Sequence, residues 1–360
     1  MRLLYALPAT CALIYRAKSR NSLTPAGIFA ATLTAAAHAY HPWNLPFALL
    51  CVFFLAGTRV THIKEGIKAN YTLRSKGTSG GEGPRTHVQV LANSSMASVL
   101  SVLHANQLRK REAAFADPNT PDPTGSLCFS WGGDLLVVGI IANYAAVAAD
   151  TFSSELGILS SGQPRLITSP TLRKVPRGTN GGVTLLGLGA GLLGSMIIVT
   201  ASMIFLPSCS EESSRTPAGG APWTMLERRK FMGFMVIWGA LGSVLDSFLG
   251  GLFQRSVRDV RYWVIHHDQM DGDWGHQSLH YLLRTRPLIR MSKPRRCRAR
   301  QKRSLVVPLL WTMTMLMLVS TIIKTSTASQ VLEISDRRGP LKTGGIFWTT
   351  MMSISSWQLR

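Results

Sequence analysis

Residues 182–207 include no charged side chain, and this run constrains the fold more than any other feature of the sequence. The run is longer than the roughly 20 apolar residues that an α-helix needs to cross the hydrocarbon core of a bilayer. Because backbone N–H and C=O groups in lipid must bond within their own segment, such a run predicts a membrane-spanning helix. The chain is therefore expected to be an integral membrane protein.

The rest of the sequence repeats this arrangement of apolar blocks between polar boundaries. Only 16% of its 360 residues are charged and 46% are hydrophobic, whereas a soluble domain usually carries about 25% charged residues. Some blocks are shorter than a bilayer requires, so we expect six to eight spans among these segments: 1–15, 26–39, 45–60, 88–104, 131–149, 183–206, 231–253 and 305–323. The predicted fold class is all-α, a polytopic transmembrane helix bundle.

The basic charge of the chain predicts its orientation in the membrane. The formal net charge is +21, and Lys and Arg crowd between the apolar blocks. The positive-inside rule places the basic segments in the cytosol, namely 16–24, 59–87, 150–182 and 254–303, and leaves 105–130 and 207–230 on the other side. Nucleic acid is not an expected partner, because the sequence lacks an aromatic-interleaved basic platform or zinc-finger spacing.

The predicted domain organisation follows from these blocks. It comprises a transmembrane helical domain at 1–255, a basic, irregular cytosolic segment at 256–304, an expected last span at 305–323 and a tail at 324–360. The five cysteines are far apart in the sequence and include no CxxC pair: Cys11, Cys51, Cys128, Cys209 and Cys297. They therefore predict neither a disulfide framework nor a zinc site.

Acids and hydroxyls follow the apolar block at 131–149, where the chain reads DTFSSE from residue 150. Asp150 and Glu155, with hydroxyls such as that of Ser154, are hard oxygen ligands suited to Mg²⁺, which usually binds one or two carboxylates plus substrate phosphates. Because the two acids are five positions apart, they would not share a face of an unbroken helix, and joint ligation would require the helix to break between them. A simple helix end with solvated acids explains the same residues.

A glycine-rich turn, VPRGTNGG at 175–182, comes directly before the charge-free run. Its glycines permit positive φ angles and close approach of a ligand, and the helix that follows presents unpaired N–H groups. It is not a Walker loop, because no Lys-Ser or Lys-Thr pair follows the glycines. A tight turn entering the membrane is the alternative to a phosphate-binding site made of Arg177, Gly178, Thr179, Asn180, Gly181 and Gly182.

Asp246 lies inside the apolar block at 231–253, between glycines four residues away on either side. A carboxylate in a span is costly and is expected to face the bundle interior, either as a catalytic or ligand-binding group or as the structural partner of an Arg or hydroxyl. Asn93 is a secondary candidate, because most intramembrane amides simply hydrogen-bond a neighbouring helix.

Several motifs occur together in one order along the chain. They are LTPAG at 23–27, QVLAN at 89–93, ADTFSSELG at 149–157, PRLIT at 164–168, VPRGTNGGVTLLG at 175–187 and GSVLDSFLGGLFQ at 242–254. In combination they resemble the transmembrane protein nineteen family, which includes the plant phytyl-phosphate kinase of vitamin E synthesis. The resemblance covers roughly residues 20–255.

The resemblance implies a multi-pass membrane kinase that transfers phosphoryl from a nucleoside triphosphate to an isoprenoid monophosphate. Asp150, Glu155 and Asp246 would then be catalytic, with Mg²⁺ on Asp150 and Glu155 and the nucleoside triphosphate as co-substrate. Such transfer is mostly positioning and charge neutralisation, and an acceptor that is already a phosphate needs little help from a general base.

Two other functions fit the same residues. A transporter or flippase of an anionic lipid would also use a buried acid and glycine-rich helices, and a non-catalytic scaffold would use the polar groups only to hold helices together. The expected partners are the bilayer and an isoprenoid or other lipid phosphate, in the endoplasmic reticulum or another endomembrane. The sequence does not indicate an oligomeric state.

Overall fold

The computed structural model describes residues 3–69, 71, 83–119, 125–130 and 134–253, all within one compact unit, Met1–Thr312. The predicted cytosolic segment 256–304, last span 305–323 and tail 324–360 lie outside the described residues. In the described part, the helices are α1 (Leu3–Ser19), α2 (Pro25–Ala39), α3 (Leu45–Thr61), α4 (Glu65–Lys68), α5 (His87–Ala116), α6 (Leu135–Gly157), α7 (Leu185–Phe205) and α8 (Met225–Phe253). A 3₁₀ turn occurs at Ser213–Arg215, and two short antiparallel strands, β1 (Arg165–Leu166) and β2 (Gly182–Val183), pair with each other.

The predicted all-α membrane bundle is confirmed. Helices α5, α6, α7 and α8 are each long and apolar enough to cross a membrane, and α3 is apolar but shorter. Helices α1, α2 and α3 coincide with the first three predicted spans at 15 to 17 residues each, below the roughly 20 that a full crossing needs. Large exposed apolar side chains such as Leu185 and Ile204 indicate surfaces that face lipid.

Helix α6 continues eight residues past the predicted end of its span, through Asp150 to Gly157. The hydroxyls in this stretch do not end the helix, because they donate to carbonyls one turn earlier. Thr151 Oγ1 donates to the Val147 carbonyl at 2.8 Å and Ser154 Oγ to the Asp150 carbonyl at 2.9 Å. The acids are thereby carried on rigid helix instead of on a loop.

Helix α6 is the centre of the bundle, and glycines on its neighbours allow close packing. Of its most apolar window, 61% is buried, compared with 44% for α7 and 22% for α8. A Cβ atom at Gly194 of α7 would lie 2.7 Å from the Ala148 carbonyl oxygen, and one at Gly239 of α8 would lie 2.8 Å from that of Ala145. Small residues at such interfaces let membrane helices approach closely, which brings the ends of α6, α7 and α8 together.

The loops predicted to share one side of the membrane do contact one another. Leu23 and Arg85 form a bridge, and Lys68 pairs with Glu155, at the end where α3 and α6 finish. At the other end, Phe129 forms a bridge with Ser208. The grouping of the loops therefore agrees with the predicted topology over the described residues.

The prediction that the cysteines form no disulfide is wrong for Cys128 and Cys209, which are bonded to each other. The bond joins the loop before α6 to the loop after α7, and the Phe129 N–H donates to the Pro207 carbonyl at 2.8 Å beside it. We call this end of the bundle the disulfide end. Disulfides persist in oxidising compartments, which agrees with the expectation that both loops lie on the non-cytosolic side.

A buried polar network closes the disulfide end. His41 Nε2 lies 2.7 Å from His104 Nδ1, and His104 Nε2 lies 3.8 Å from Asp134 Oδ1. Arg111 Nη1 lies 2.8 Å from the same Asp134 oxygen. His41 Nδ1 accepts from the Trp43 N–H at 2.9 Å and also lies 3.3 Å from the Trp43 carbonyl oxygen. The ring is therefore held from both of its nitrogens.

Candidate functional site

A cavity of about 300 Å³ opens at the opposite end of the bundle, where α3 and α6 finish and α7 begins. We call it the acidic cavity. It brings together residues from most of the segments that the sequence singled out, and among its lining residues are Asp150, Ser154, Glu155, Gly178, Thr179, Asn180, Gly181, Gly182 and Asp246. Acids and the glycine turn, which are distant in sequence, therefore lie at one end of one helix bundle.

Asp150 and Asp246 face the same space from two different helices. Asp150 is on α6 and Asp246 is on α8, both are partly buried, and both line the acidic cavity. Two like charges at membrane depth are costly unless a cation or a proton lies between them. This pair is therefore the strongest candidate for a cation-binding group in the cavity.

The predicted joint metal site of Asp150 and Glu155 needed a break in the helix, and α6 is continuous through both residues. Glu155 instead forms an ion pair with Lys68, whose ammonium also donates to the Val60 and Thr61 carbonyls. Lys68 therefore ties α4 to the last turns of α3 and α6. Among the described residues, no group of three or more His, Cys, Asp or Glu is arranged to hold a metal ion.

The turn at 178–182 is folded tightly against α8. Gly181 has a φ of +78°, and a Cβ atom there would lie 2.7 Å from the Gly251 Cα. Gly178 has a φ of +81°, and its Cβ would lie 2.6 Å from the Tyr71 carbonyl oxygen. Only glycine meets both requirements, a left-handed conformation and contact with a neighbouring backbone.

The turn uses some of its own polar groups. The N–H groups of Thr179 and Gly182 donate to the Pro176 and Thr179 carbonyls, and the Thr179 hydroxyl also donates to Pro176. These groups hold the shape of the turn, so a phosphate in the cavity would be held by other donors as well.

The N-terminus of α7 supplies such donors. Thr184 caps this helix by accepting from the Gly187 N–H at 3.0 Å, and its hydroxyl lies 3.3 Å from the Gly157 carbonyl. A Cβ at Gly157 would lie 3.1 Å from the Gly187 Cα, so the end of α6 and the start of α7 are in backbone contact. The first turn of α7 presents its positive dipole end beside the acids.

Two of the proposed site residues lie outside the acidic cavity, and the hydroxyl of a third is used within its own helix. Arg177 does not line the acidic cavity, and its guanidinium donates to the Tyr71 hydroxyl and the Ser161 carbonyl. Asn93 also lies outside the lining, where its carbonyl accepts from Asn143 Nδ2. Ser154 lines the cavity and is exposed, but its hydroxyl bonds to its own helix.

The cavity also contains residues that sequence reasoning missed, notably Thr61, Glu65 and Lys68. In the sequence, Lys68 is one of several basic residues in a segment interpreted as a cytosolic loop. The predicted placement of residues 59–87 and 150–182 on one side was the only signal that could have joined Lys68 to Glu155.

Comparisons with known proteins agree with the membrane fold. Protein PGR of Arabidopsis thaliana is 33% identical over 71% of this chain and 80% of the relative. An uncharacterized membrane protein of Methanocaldococcus jannaschii is 27% identical over 71% of this chain and 84% of the relative. Protein VTE6, chloroplastic, of Arabidopsis thaliana is 30% identical over 50% of this chain and 46% of its own length.

No solved structure matches this chain. A family model described as integral membrane protein DUF92 matches residues 8–301. At both ends, this range extends beyond the region over which the motifs show their resemblance. Together with the plant relatives, the match confirms the family that the motifs predicted. The chain belongs to the integral membrane protein DUF92 family.

Proposed function

We propose that this chain transfers a phosphoryl group from a nucleoside triphosphate to an isoprenoid monophosphate and releases the isoprenoid diphosphate. The observation that carries the proposal is the meeting of Asp150 and Asp246 with the glycine turn and the N-terminus of α7 in the acidic cavity. The family resemblance supplies the reaction class, and the cavity supplies residues suited to it. The proposed location is an endomembrane such as the endoplasmic reticulum.

The charge of the acidic cavity favours a metal-bound phosphate over a bare one. Its lining includes one ammonium, Lys68, against four carboxylates, those of Glu65, Asp150, Glu155 and Asp246. A bare anion would be repelled by this excess of acids. Mg²⁺ suits the site, because it binds through one or two carboxylates plus substrate phosphates and not through an all-protein cage. Asp150 and Asp246 would hold it, and the bound ion would neutralise charge on the transferring phosphoryl group.

The remaining groups have positioning roles in this proposal. The first turn of α7 and the turn at 178–182 would orient the phosphates, and Lys68 would bring positive charge to the transferred group while it holds Glu155 in place. An oxygen of the acceptor phosphate forms the new bond to the γ-phosphorus, and the bond from that phosphorus to the β,γ-bridging oxygen breaks. The nucleoside diphosphate leaves, and the acceptor phosphate is already ionised, so no general base is required.

The test is turnover by purified protein in lipid nanodiscs, with farnesyl or geranylgeranyl monophosphate, a nucleoside triphosphate and Mg²⁺. Formation of prenyl diphosphate is measured by mass spectrometry. We expect Asp150→Asn and Asp246→Asn each to lower turnover at least about a hundredfold, because loss of even an outer-shell metal partner typically costs 10–100-fold. Ser154→Ala is the matched control and should retain turnover.

Two outcomes would overturn the proposal. One is an absence of diphosphate with every nucleotide and prenyl monophosphate tried, in protein that unfolds cooperatively on heating. The other is movement of a prenyl monophosphate across a liposome membrane without nucleotide consumption, which would select the transporter hypothesis.

A further inference from the structure

A second cavity, of about 570 Å³, adjoins the acidic cavity at the same end of the bundle. It lies where α1 and α3 end and where the chain enters α5, and it shares Thr61 and Glu65 with the acidic cavity. Its charged and titratable lining residues are Arg20, His62, Glu65 and Arg85, and we call it the arginine cavity. The two cavities thus meet at one short wall.

Arg85 is fixed at that wall by its main chain. Its N–H donates to the Ser22 carbonyl at 3.0 Å, and its carbonyl accepts from the Thr24 N–H at 3.0 Å. Its guanidinium Nη2 donates to Thr61 Oγ1 at 2.7 Å. The position of a Cβ at Gly57 would lie 3.6 Å from Arg85 Nη1, which is an ordinary van der Waals distance, so the guanidinium lies against α3. The cation is therefore held next to the acidic cavity.

The two cavities differ in the sign of their charged groups. The acidic cavity combines four carboxylates with one ammonium, whereas the arginine cavity combines two guanidinium groups with one carboxylate, the shared Glu65. A nucleoside triphosphate brings Mg²⁺ with it and tolerates acids, but a phosphate monoester without a metal requires cationic side chains. Charge alone therefore assigns different phosphates to the two cavities.

The arginine cavity also reaches towards the bilayer. Phe54 lines it from α3, seven residues before Thr61. At a rise of 1.5 Å per residue, Phe54 lies about 10 Å deeper along the helix than Thr61. A ligand with a charged head at Thr61 and an apolar chain beside Phe54 would match both parts of this wall.

We propose that the arginine cavity binds the phosphate of the lipid monophosphate acceptor, with Arg85 and Arg20 as its cationic partners, while the acidic cavity takes the metal-bound nucleotide. This inference rests on the proposed function for the identity of the acceptor. It adds a site for the second substrate and places the transfer at the wall formed by Thr61 and Glu65.

The experiment measures binding of farnesyl monophosphate to the full chain in nanodiscs without nucleotide, beside farnesol and inorganic phosphate as probes. We expect Arg85→Gln and Arg20→Gln each to weaken farnesyl monophosphate binding by at least about tenfold, the ratio expected for one lost charge-assisted hydrogen bond. The bonds of Arg85 to Ser22 and Thr24 involve only its main chain and remain in the variant. Lys18→Gln, exposed on the same helix end and outside the cavity lining, is the matched control and should bind normally.

Arg20 is exposed, so Arg20→Gln tests the inference even if Arg85→Gln lowers stability. Unchanged affinity in both variants would overturn the inference, as would an equal loss of farnesol binding. Displacement by inorganic phosphate at the same concentration as farnesyl monophosphate would overturn the lipid assignment.

The same variants separate this inference from the proposed function. If turnover occurs, Arg20→Gln should raise the KM for farnesyl monophosphate and leave the KM for the nucleotide unchanged, and the reverse pattern would contradict it. If no turnover occurs but the two arginine variants lose binding as expected, the proposed function fails while the acceptor site stands.

Discussion

The two ends of the helix bundle differ in whether their buried acids have a cationic partner. At the disulfide end, Asp134 is buried but has Arg111 at 2.8 Å and His104 at 3.8 Å, and a disulfide lies in the same loop. At the other end, Asp150 and Asp246 both line an open cavity. A buried acid with a cationic partner has a structural role, whereas two acids for which the described residues supply no such partner form a pair suited to binding a cation.

This comparison predicts that removing a charge at the disulfide end changes stability, while removing a carboxylate charge at the acidic cavity changes binding and turnover. The acid pair should even be relieved when it is neutralised. Asp150→Asn and Asp246→Asn are thus expected to leave the melting temperature unchanged or raised, and a sharp loss of stability would place the two acids in the structural class.

The largest effect on stability and turnover together is expected for Gly181→Ala, because the turn at 178–182 and α8 are in backbone contact there. A left-handed conformation costs a non-glycine residue roughly 1–2 kcal/mol, and the added Cβ would lie 2.7 Å from the Gly251 Cα. Overpacking of that kind costs roughly 1–3 kcal/mol. The turn should move away from Asp246, so turnover should fall more than tenfold, which a prenyl diphosphate assay measures together with the melting temperature.

Gly189→Ala is the control for that substitution. Gly189 is exposed on α7 with no atom within 4 Å of an added Cβ, so alanine should be neutral or slightly stabilising in the helix. Normal turnover in Gly181→Ala would show that the turn does not shape the cavity.

The second effect is on the disulfide end. Cys128→Ser should lower the free energy of unfolding by about 2–5 kcal/mol, because the bond closes a long loop of the unfolded chain. Thermal unfolding with and without reductant measures the loss, and Cys11→Ser, at an exposed free cysteine, is the control. Turnover well below the melting temperature should stay near that of the unsubstituted protein, since the bond and the acidic cavity lie at opposite ends of α6. A parallel loss of turnover would break the division between the two ends.

Much of this arrangement could be predicted from the sequence because lipid imposes a simple rule on apolar segments. Over the described residues, the approximate span positions, their order and the grouping of the loops at two ends follow from runs without charge and from their polar boundaries. The proximity of Asp150 to the turn at 178–182 could also be predicted, because both were placed at the same membrane surface.

Partners that depend on helix rotation could not be predicted. Nothing in the spacing showed that Asp150 would line one cavity with Asp246 of α8 while Glu155 faced Lys68, because that depends on which sides of α6 its neighbours cover. The disulfide had an overlooked signal. Cys128 and Cys209 each lie in one of the two loops predicted to be non-cytosolic, the only cysteines so placed. Topology, and not sequence spacing, was the useful guide to their pairing.

The third effect concerns Asp134, the paired acid that contrasts with Asp150. Burial raises the pKa of Asp134, but the neighbouring His104 and Arg111 side chains outweigh it, so the pKa lies below its usual value. The stabilisation is then complete above the unfolded pKa of about 3.9 and is lost as the pH falls through the folded value. Asp134→Asn should lower the free energy of unfolding by about 2 kcal/mol, equally at pH 7 and pH 5.5, as measured by chemical unfolding.

The control is Asp117→Asn, at an exposed acid of the same end, which should lower the free energy of unfolding much less. An equal loss in both variants would show that the ion pair of Asp134 with Arg111 has no special role in stability.

The smallest expected effect is a change in the pH dependence of stability, and it comes from His41 at the disulfide end. Burial, and then the charge of the neighbouring His104, lower the pKa of His41 to about 3. The unfolded chain, with a histidine pKa of about 6.5, therefore binds a proton that the folded chain does not, and stability should fall on acidification by at most about 1.4 kcal/mol per pH unit below that value. His41→Gln removes this group, so its melting temperature should drop less between pH 7.5 and pH 5.5 than that of the unsubstituted protein. His87→Gln, at an exposed position where α5 begins at the other end, should keep the original pH dependence. If His41→Gln and His87→Gln respond to acid alike, the closed network of the disulfide end does not exclude protons, and its contrast with the acidic cavity is one of geometry alone.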